Sequence, residues 1–343
     1  MTSRNDLKAK SKTPPHNRET KMIRPAIIAA FSVALPLAAA PTFADSLRVA
    51  LVLPGSVTDG TFNSAANTGI QTAKEKYDIE VSVRENTDFS EITEALLSYA
   101  REGYDVIIGH GFQFAEPVME IHADYPDSWF IVNTAQVSAE PNVASFDNRW
   151  DDAGYMAGTI AAMVTQTGTI GHIGGVPVPV IEDYNAGFAK GAASVREDVN
   201  VLSAYVGSFS DIARGAEITT SLIEQGADVV TSTGNENVVG TIQAAEAAGV
   251  MAIGTAFDSY EAAPDTIVTT ALINIDVNID QAIGKVIDGS IEPRVYVLGL
   301  PENGIGLAPF RGRFEEMLSD AQKADVEQML ADIESGTITG QPE

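Results

Sequence analysis

LRVALVL, residues 47–53, is a nearly continuous apolar run. Runs of this kind are typical of strands that are buried on both faces of a parallel sheet. Residues 64–77 come next and carry apolar side chains at helical spacing. Together the two segments predict a strand followed by a helix.

The alternation of strands and helices continues along the chain in two series. The first series predicts strands at 79–84, 106–109, 129–132 and 143–146, and helices at 88–101, 115–125 and 150–164. The second predicts strands at 169–174, 199–205, 228–231, 251–254 and 267–272, and helices at 181–195, 210–225, 238–248, 276–287 and 314–333. Repeated strand–helix units form parallel sheets covered by helices on both sides. The sequence therefore predicts an α/β protein with two doubly wound parallel-sheet lobes.

The two series also predict where each lobe lies in the sequence. The N-terminal lobe is expected to comprise residues 45–165 and about 273–310. The C-terminal lobe is expected to comprise residues 166–272 and about 311–343.

The composition excludes several classes of function. The chain of 343 residues is 45% hydrophobic and 20% charged, which is an ordinary balance for a globular protein. Its 21 Lys and Arg against 47 Asp and Glu give a net charge of −26, which repels nucleic acids and anionic lipids as partners. The sequence contains no Cys, which excludes disulfides, thiolate metal sites and a lipidated N-terminal Cys.

Residues 1–44 have the features of a secretory signal peptide. Basic residues precede an uncharged segment, 25–44, whose centre is apolar and whose end is rich in small residues. Cleavage is expected after Ala44, with Ala40 as the alternative, and Met22 is a second candidate for the start of the chain. An uncleaved membrane anchor is the competing interpretation, although a span needs about 20 apolar residues. The mature chain, with a net charge of −31, is expected in the periplasm without a lipid anchor.

The ends of the predicted strands indicate where a ligand would bind. Ligands of open α/β sheets bind outside the carboxyl ends of the strands, and a cleft between two lobes is the natural place for a site. Ligand contacts are therefore expected in the segments that follow strands, which are 54–63, 110–116, 146–150, 175–184, 232–237 and 255–259.

Common catalytic motifs are missing from the sequence. It contains no P-loop, no G-x-S-x-G elbow and no H-E-x-x-H metal motif. DVNID at 276–280 has the first ligands of a calcium loop but lacks the Gly and the Glu that would complete one. Neither a cofactor nor a metal nor an enzymatic activity is therefore expected.

Five segments resemble a known family in their order along residues 47–335. They are DGTFN at 59–63, IIGHGF at 107–112, AGYMAG at 153–158, GGVPVPVIEDYNAGF at 174–188 and VLGLPENGIGL at 297–307. Each is similar to a motif of the BMP family, the PnrA-like substrate-binding proteins of ABC transporters. The resemblance implies a type I periplasmic binding protein fold, with two lobes joined by a hinge.

The resemblance also implies a site for a purine nucleoside or a purine base. Two aromatic rings would stack against the base, a contact that is worth about 1–3 kcal/mol per base in nucleic-acid complexes. Carboxylates would accept hydrogen bonds from the ribose hydroxyls. The residues that the resemblance carries over to the site are the stacking pair Phe62 and Tyr184, together with Asp59, Asn63, Phe112, Glu116, Gly234 and Asp258.

Some positions depart from the family pattern or have a competing structural role. The family's Lys near position 273 is replaced here by Ile273, which leaves the identity of the ligand open. Three of the site residues also have a competing structural interpretation. In it Phe62 is a packed turn residue, Tyr184 lies on the inner face of its helix and Asp258 caps a loop.

The resemblance implies the binding component of an ABC importer. The lobes would close on the ligand, and the closed form would dock on a permease driven by an ATPase, both separate chains. One alternative is a binding protein for another small polar solute, such as a sugar or an autoinducer-like furanose. The others are a ligand sensor for a membrane receptor and a secreted nucleoside-processing enzyme.

Overall fold

The computed structural model describes residues 46–341, so the predicted signal peptide at residues 1–44 lies outside the described part of the chain. The described residues form two six-stranded sheets. The strands are β1 (Leu47–Val52), β2 (Ile79–Arg84), β3 (Val106–His110), β4 (Trp129–Asn133), β5 (Val143–Asn148), β6 (Thr169–Gly174), β7 (Asn200–Tyr205), β8 (Val229–Thr233), β9 (Met251–Ala256), β10 (Ile267–Ile273), β11 (Val295–Leu298) and β12 (Ile305–Leu307).

Helices connect most of the strands and cover the sheets. They are α1 (Phe62–Lys76), α2 (Ile92–Arg101), α3 (Ala115–Ile121), α4 (Trp150–Val164), α5 (Pro179–Val195), α6 (Ile212–Glu224), α7 (Asn237–Ala248), α8 (Ile275–Ile287) and α9 (Asp320–Glu334). The last helix begins later than predicted because Ser319 and Gln322 form a capping box at its N-terminus.

Both sheets have the same strand order. The first sheet runs β2-β1-β3-β4-β5-β11 and is parallel throughout. The second runs β7-β6-β8-β9-β10-β12, and in it only β12 is antiparallel to its neighbour. In each sheet the first strand of the series lies between the second and the third, so the winding direction reverses there. The predicted α/β fold with two doubly wound lobes is confirmed.

Within residues 46–341 the chain crosses between the sheets three times: at Arg149, at Asn274 and through residues 299–304. Helix α4 packs against β8, β10 and β12 of the second sheet, whereas α8 packs against β4 and β5 of the first. The lobe boundary therefore falls at Arg149 rather than at residue 165. Strand β12 likewise belongs to the second sheet, although the predicted N-terminal lobe extended to residue 310. Helical periodicity locates a helix but does not tell which sheet the helix covers.

The second lobe has an unusually close helix pair, α4 against α5. A Cβ at Gly154 would overlap the carbonyl oxygen of Tyr184, and one at Gly158 would overlap that of Phe188. The glycines let the two backbones touch. Almost every residue of α4 is buried, since the helix packs against α5 and also against β8, β10 and β12.

Candidate ligand-binding site

A cavity of about 370 Å³ lies at the carboxyl ends of the strands, between residues of the two lobes. Its walls come largely from the segments that follow β1 and β3 in the first sheet and β6 and β8 in the second. These are the strands that flank the two points where the winding reverses, which is where open α/β sheets bind ligands. The lining residues are Pro54, Gly55, Ser56, Phe62, Asn63, Asn86, Gly111, Phe112, Gln113, Thr134, Trp150, Val178, Val180, Ile181, Phe209, Ser210, Gly234, Asn235 and Glu236.

The lining is aromatic and amide-rich, and it carries little charge. Four aromatic rings of the described part of the chain reach the cavity, from Phe62, Phe112, Trp150 and Phe209. Side-chain amides and hydroxyls supply most of its polar groups. Among the described lining residues Glu236 is the one ionisable side chain, and none is Lys or Arg. Such a lining favours a ligand with flat apolar faces, hydrogen-bonding edges and no negative charge.

Phe62 rests on a buried histidine. The rings of Phe62 and His110 stack with their centroids 3.8 Å apart and their planes 24° apart. His110 is fully buried, and its Nε2 donates to the Phe62 carbonyl oxygen at 3.1 Å while its Nδ1 accepts from Asn133 Nδ2 at 3.0 Å. Burial lowers the pKa of His110 to about 4, so the ring is neutral at physiological pH. Phe62 is thus a supported aromatic surface in the cavity wall.

Asp59 is placed beside the cavity but not in its lining. Its two carboxylate oxygens accept five hydrogen bonds, from the backbone of Thr61, from the backbone and side chain of Asn63, and from the backbone and side chain of Ser64. Burial alone would raise the pKa of Asp59, but these bonds outweigh it and lower the pKa to about 2. Its acceptor capacity is therefore used at the start of α1, which corrects the predicted ligand contact.

Asn63 lines the cavity but has little free hydrogen-bonding capacity. Its Nδ2 donates to Asp59 at 2.7 Å, and its Oδ1 accepts from the Gly55 backbone at 3.3 Å. The side chain is 1% exposed. Asn63 thus fixes the turn after β1, and this turn forms part of the cavity wall.

Tyr184 belongs to the core and not to the cavity, so the predicted stacking role is corrected. The side chain is fully buried, and its hydroxyl lies 3.2 Å from the hydroxyls of both Thr231 and Thr255. Ile181, one turn earlier on α5, lines the cavity in its place. Tyr184 therefore lies on the inner face of α5, as the competing interpretation predicts.

The other two predicted acids also lie away from the cavity. Glu116 is exposed in the first turn of α3. Asp258 forms an ion pair with Arg311, whose Nη1 is 2.6 Å from Oδ2, and lines a separate cavity of about 260 Å³. Of the eight predicted residues, the structure thus brings Phe62, Asn63, Phe112 and Gly234 together.

Gly234 has a conformation that a side chain would disturb. Its φ is +153°, and a Cβ would overlap the amide of Asn237. That amide oxygen accepts from the Asn235 backbone at 2.9 Å and so fixes the segment after β8. The glycine therefore shapes the part of the wall that carries Asn235 and Glu236.

Several lining residues were not singled out from the sequence. Trp150, Asn235 and Glu236 lie in the strand-end segments 146–150 and 232–237, so their position gave a signal. Phe209 follows β7, and its ring packs against Gly175. Asn86 and Thr134 follow β2 and β4 in the same way. Applying the strand-end rule to every strand would have found all of them.

The two lobes make contact beside the cavity. Asn235 Oδ1, in the second lobe, accepts from the Thr61 hydroxyl of the first lobe, and Phe62 N donates to the same oxygen at 3.4 Å. The bond joins the N-terminus of α1 to the segment before α7. It links the two walls of the cavity in this arrangement of the lobes.

Comparison with known proteins places the chain in a family. A model of the PnrA-like ABC transporter substrate-binding proteins matches residues 46–339. The chain is 29% identical over 262 residues to a purine-binding protein of Brucella abortus, covering 76% of this chain and 72% of that one. It is 31% identical over 189 residues to the ABC transporter nucleoside-binding protein BmpA of Lactococcus lactis, covering 54% of each.

A solved structure supports the fold. The solute-binding protein of an ABC transporter system from Aeropyrum pernix has a TM-score of 0.76 and 23% identity, over 87% of this chain and 94% of that one. Within residues 46–341, no helix has the length and apolar character that crossing a membrane requires. The matched family consists of binding proteins, which confirms that the chain is not an enzyme. The chain belongs to the PnrA-like family of ABC transporter substrate-binding proteins.

Proposed function

We propose that this protein is a periplasmic receptor that binds a purine nucleoside or a purine base between its lobes and delivers it to an ABC permease. Three observations support the proposal. The cavity is aromatic and amide-rich, two relatives are named for binding purines or nucleosides, and residues 1–44 have the pattern of a secretory signal peptide.

The Phe62 surface is the observation that carries the ligand class. His110 stacks against Phe62 at a centroid distance of 3.8 Å and so restricts the Phe62 ring before the ligand binds. Stacking of a ligand on this ring therefore costs little further side-chain entropy. Phe209, in the second lobe, is the candidate for the opposite face. It takes the place that the resemblance assigned to Tyr184.

Glu236 is the candidate acceptor for the donors of the ligand. Its carboxylate is half-buried at the N-terminus of α7, and it accepts two hydrogen bonds from a ribose diol or from purine N–H groups. A nucleotide would bring a phosphate into a cavity that has a carboxylate and no cation among its described lining residues. Nucleosides and bases are therefore the ligands, and nucleotides are rejected.

The transport cycle follows from the two-lobe fold. In the open form the ligand reaches one wall, and closure about the three crossovers brings the second wall against it. Ligand binding stabilises the closed form by the difference between the ligand's binding free energies for the closed and the open form. The closed form is then the species that the permease recognises.

A thermal-shift screen tests the ligand class. Guanosine, inosine, adenosine and free purine bases are compared with their nucleotides, with sugars and with amino acids. A ligand that binds only the native state raises the melting temperature. We expect a rise with nucleosides or bases and none with nucleotides. A rise with sugars alone would keep the receptor and discard the purine ligand.

A pair of variants tests the stacking surfaces. Phe62→Ala combined with Phe209→Ala is expected to weaken nucleoside binding about tenfold or more, since each stacked face contributes about 1–3 kcal/mol. Calorimetric titration measures the change. The matched control is Phe89→Ala, because Phe89 is 71% exposed and lies outside the cavity. Unchanged affinity in the double variant would contradict the stacking site.

A further inference from the structure

A chain of buried side-chain amides begins behind the Phe62 surface. Asn133, which supports His110, accepts at its Oδ1 from Asn278 Nδ2 at 2.9 Å. Asn278 and Asn148 then exchange two hydrogen bonds, at 2.7 and 3.1 Å. Asn148 Nδ2 also donates to the Gly304 carbonyl oxygen at 2.7 Å. All three amides are at least 98% buried.

The far end of this amide chain lies where the polypeptide crosses between the lobes. Asn148 is the last residue of β5 and precedes the first crossover, and Gly304 lies in the third. The Gly304 carbonyl also accepts from the backbone of Asn274, in the second crossover, at 2.8 Å. One carbonyl oxygen thus joins all three crossovers.

The partners determine the orientation of every amide. The Gly304 carbonyl can only accept, so Asn148 turns its Nδ2 toward it and its Oδ1 toward Asn278. Asn278 must then donate to Asn133, and Asn133 to His110 Nδ1. The ring proton of His110 is left on Nε2, where the Phe62 carbonyl accepts it. The orientation of each amide in the chain is tied to that of the next one, so a change at one end is costly unless the rest reorients.

We propose that Asn133, Asn278 and Asn148 are positioning residues that couple the aromatic surface of the cavity to the crossovers about which the lobes move. The amide chain fixes the position of His110, and His110 in turn supports Phe62. A change in the geometry of the crossovers is therefore transmitted to the Phe62 ring. The proposal rests on the proposed function only in taking Phe62 as a surface that contacts the ligand.

A buried amide outside this chain provides the control. Asn142 is 2% exposed, and its Nδ2 donates to three backbone carbonyls of the first lobe, at 2.7 to 3.1 Å. It touches neither the cavity nor a crossover. Asn142→Ala therefore removes a comparable set of buried hydrogen bonds without cutting the amide chain.

The experiment is a double-mutant cycle of Asn278→Ala and Asn133→Ala, read by guanosine affinity and by lobe separation. Because the sequence has no Cys, spin labels on Gln71→Cys in α1 and Glu246→Cys in α7 report the distance between the lobes. Asn278→Ala is expected to weaken guanosine binding about fivefold and to broaden the distances of the free protein. Asn133→Ala is expected to weaken binding equally but to leave those distances unchanged, because Asn278 still orients Asn148 toward the Gly304 carbonyl.

The double variant decides whether the coupling runs through Asn133. Its loss of affinity should not exceed that of either single variant, since the second substitution cuts a chain that is already broken. Asn142→Ala should lower the melting temperature and leave affinity within about twofold. Additive losses in the double variant, or an equal loss of affinity in Asn142→Ala, would overturn the proposal.

A measurement on the wild-type protein covers the case in which Asn278→Ala does not fold. Nitrogen-15 NMR of labelled histidine should show the His110 proton on Nε2, and a proton on Nδ1 would overturn the assigned chain of amides. If guanosine and every other purine fail to bind the wild-type protein, the proposed function fails. In that case the position of the His110 ring proton and the distances between the spin labels still test whether the amide chain couples His110 to the crossovers.

Discussion

Two carboxylates of the first lobe, Asp59, which is half-buried, and Asp147, which is buried, have pKa values that move in opposite directions. Asp59 accepts five hydrogen bonds, and these lower its pKa to about 2 despite partial burial. Asp147 is 1% exposed and accepts three, from Gln136, Asn148 and Trp150. Burial dominates there and raises the pKa of Asp147. The balance between desolvation and donors decides the sign in each case.

Asp147→Asn is expected to stabilise the protein at neutral pH. A carboxyl whose pKa is raised on folding holds its proton more tightly in the native state, so its effect on stability becomes less favourable as the pH rises above the ordinary value of 3.8. Asn resembles the protonated form and keeps both hydrogen bonds that Oδ1 accepts. Urea unfolding should show a gain at about pH 7 that disappears near pH 3.

The exposed Asp198 provides the control for Asp147. Its ion pair with Arg196 lowers the pKa of Asp198, so Asp198→Asn should change stability little, and in the opposite direction. A gain for Asp147→Asn that is equally large at about pH 3 would mean that packing, and not the charge, limits stability at this site.

Two buried histidines, His110 and His172, have the reverse effect on the pH dependence of stability. Burial lowers the pKa of His110 to about 4 and that of His172 to about 3. Between these values and the ordinary 6.5, the unfolded chain binds more protons than the native one. Their contribution to stability is therefore complete above about pH 6.5 and is lost as the pH falls.

At the scale of elements, the α4–α5 contact shows packing prevailing over helix propensity. Ala is the better helix former than Gly by about 1 kcal/mol, so propensity alone would make Gly158→Ala stabilising. A Cβ there would overlap the backbone of Phe188. We expect a net loss of about 1–3 kcal/mol in urea unfolding, because both backbones must shift.

A glycine with room around it checks this interpretation. A Cβ at Gly306 in β12 would have its nearest contact at 3.7 Å, an ordinary van der Waals distance. Gly306→Ala should therefore change stability by less than about 0.5 kcal/mol. If Gly158→Ala proves as harmless as Gly306→Ala, the helices do not pack as closely as the structure shows.

The sequence predicts the elements better than it predicts their partners. The bounds of α4 are correct because the mostly apolar run of 15 residues at 150–164 is too long for an ordinary strand. Its assignment to the first lobe is wrong, because both sheets need helices and the local pattern is the same for either. Pairing of β12 across the third crossover is a contact of distant residues that local periodicity does not report.

The same difference between local patterns and contacts of distant residues applies to the candidate site. Strand ends are local features, so the segments carrying Phe62, Phe112 and Glu236 could be found from the sequence. Tyr184 could not be placed, because Ile181 and Tyr184 are one turn apart and either could face the cleft. The family motif favoured Tyr184, but hydroxyls of Thr231 and Thr255 make the core a satisfied environment for it.

At the scale of the whole molecule, the Thr61–Asn235 hydrogen bond joins the two lobes beside the cavity. Thr61 is 4% exposed, lies outside the lining of the main cavity and donates to Asn235 across the lobe interface. A net hydrogen bond contributes about 0.5–1.5 kcal/mol. The lobes cannot open without breaking this bond. The bond therefore slows the dissociation of the ligand more than its association.

Thr61→Val removes the bond while keeping the shape of the side chain. We expect ligand to dissociate about 2–10-fold faster with little change in the association rate, because affinity changes within one interface appear mainly in dissociation. Stopped-flow displacement of a bound nucleoside measures both rates. Thr68→Val is the control, since the Thr68 hydroxyl donates only within α1, to Ser64 O at 2.9 Å. Equal dissociation rates in the two variants would mean that the ligand alone, and not the contact between the lobes, keeps the receptor closed.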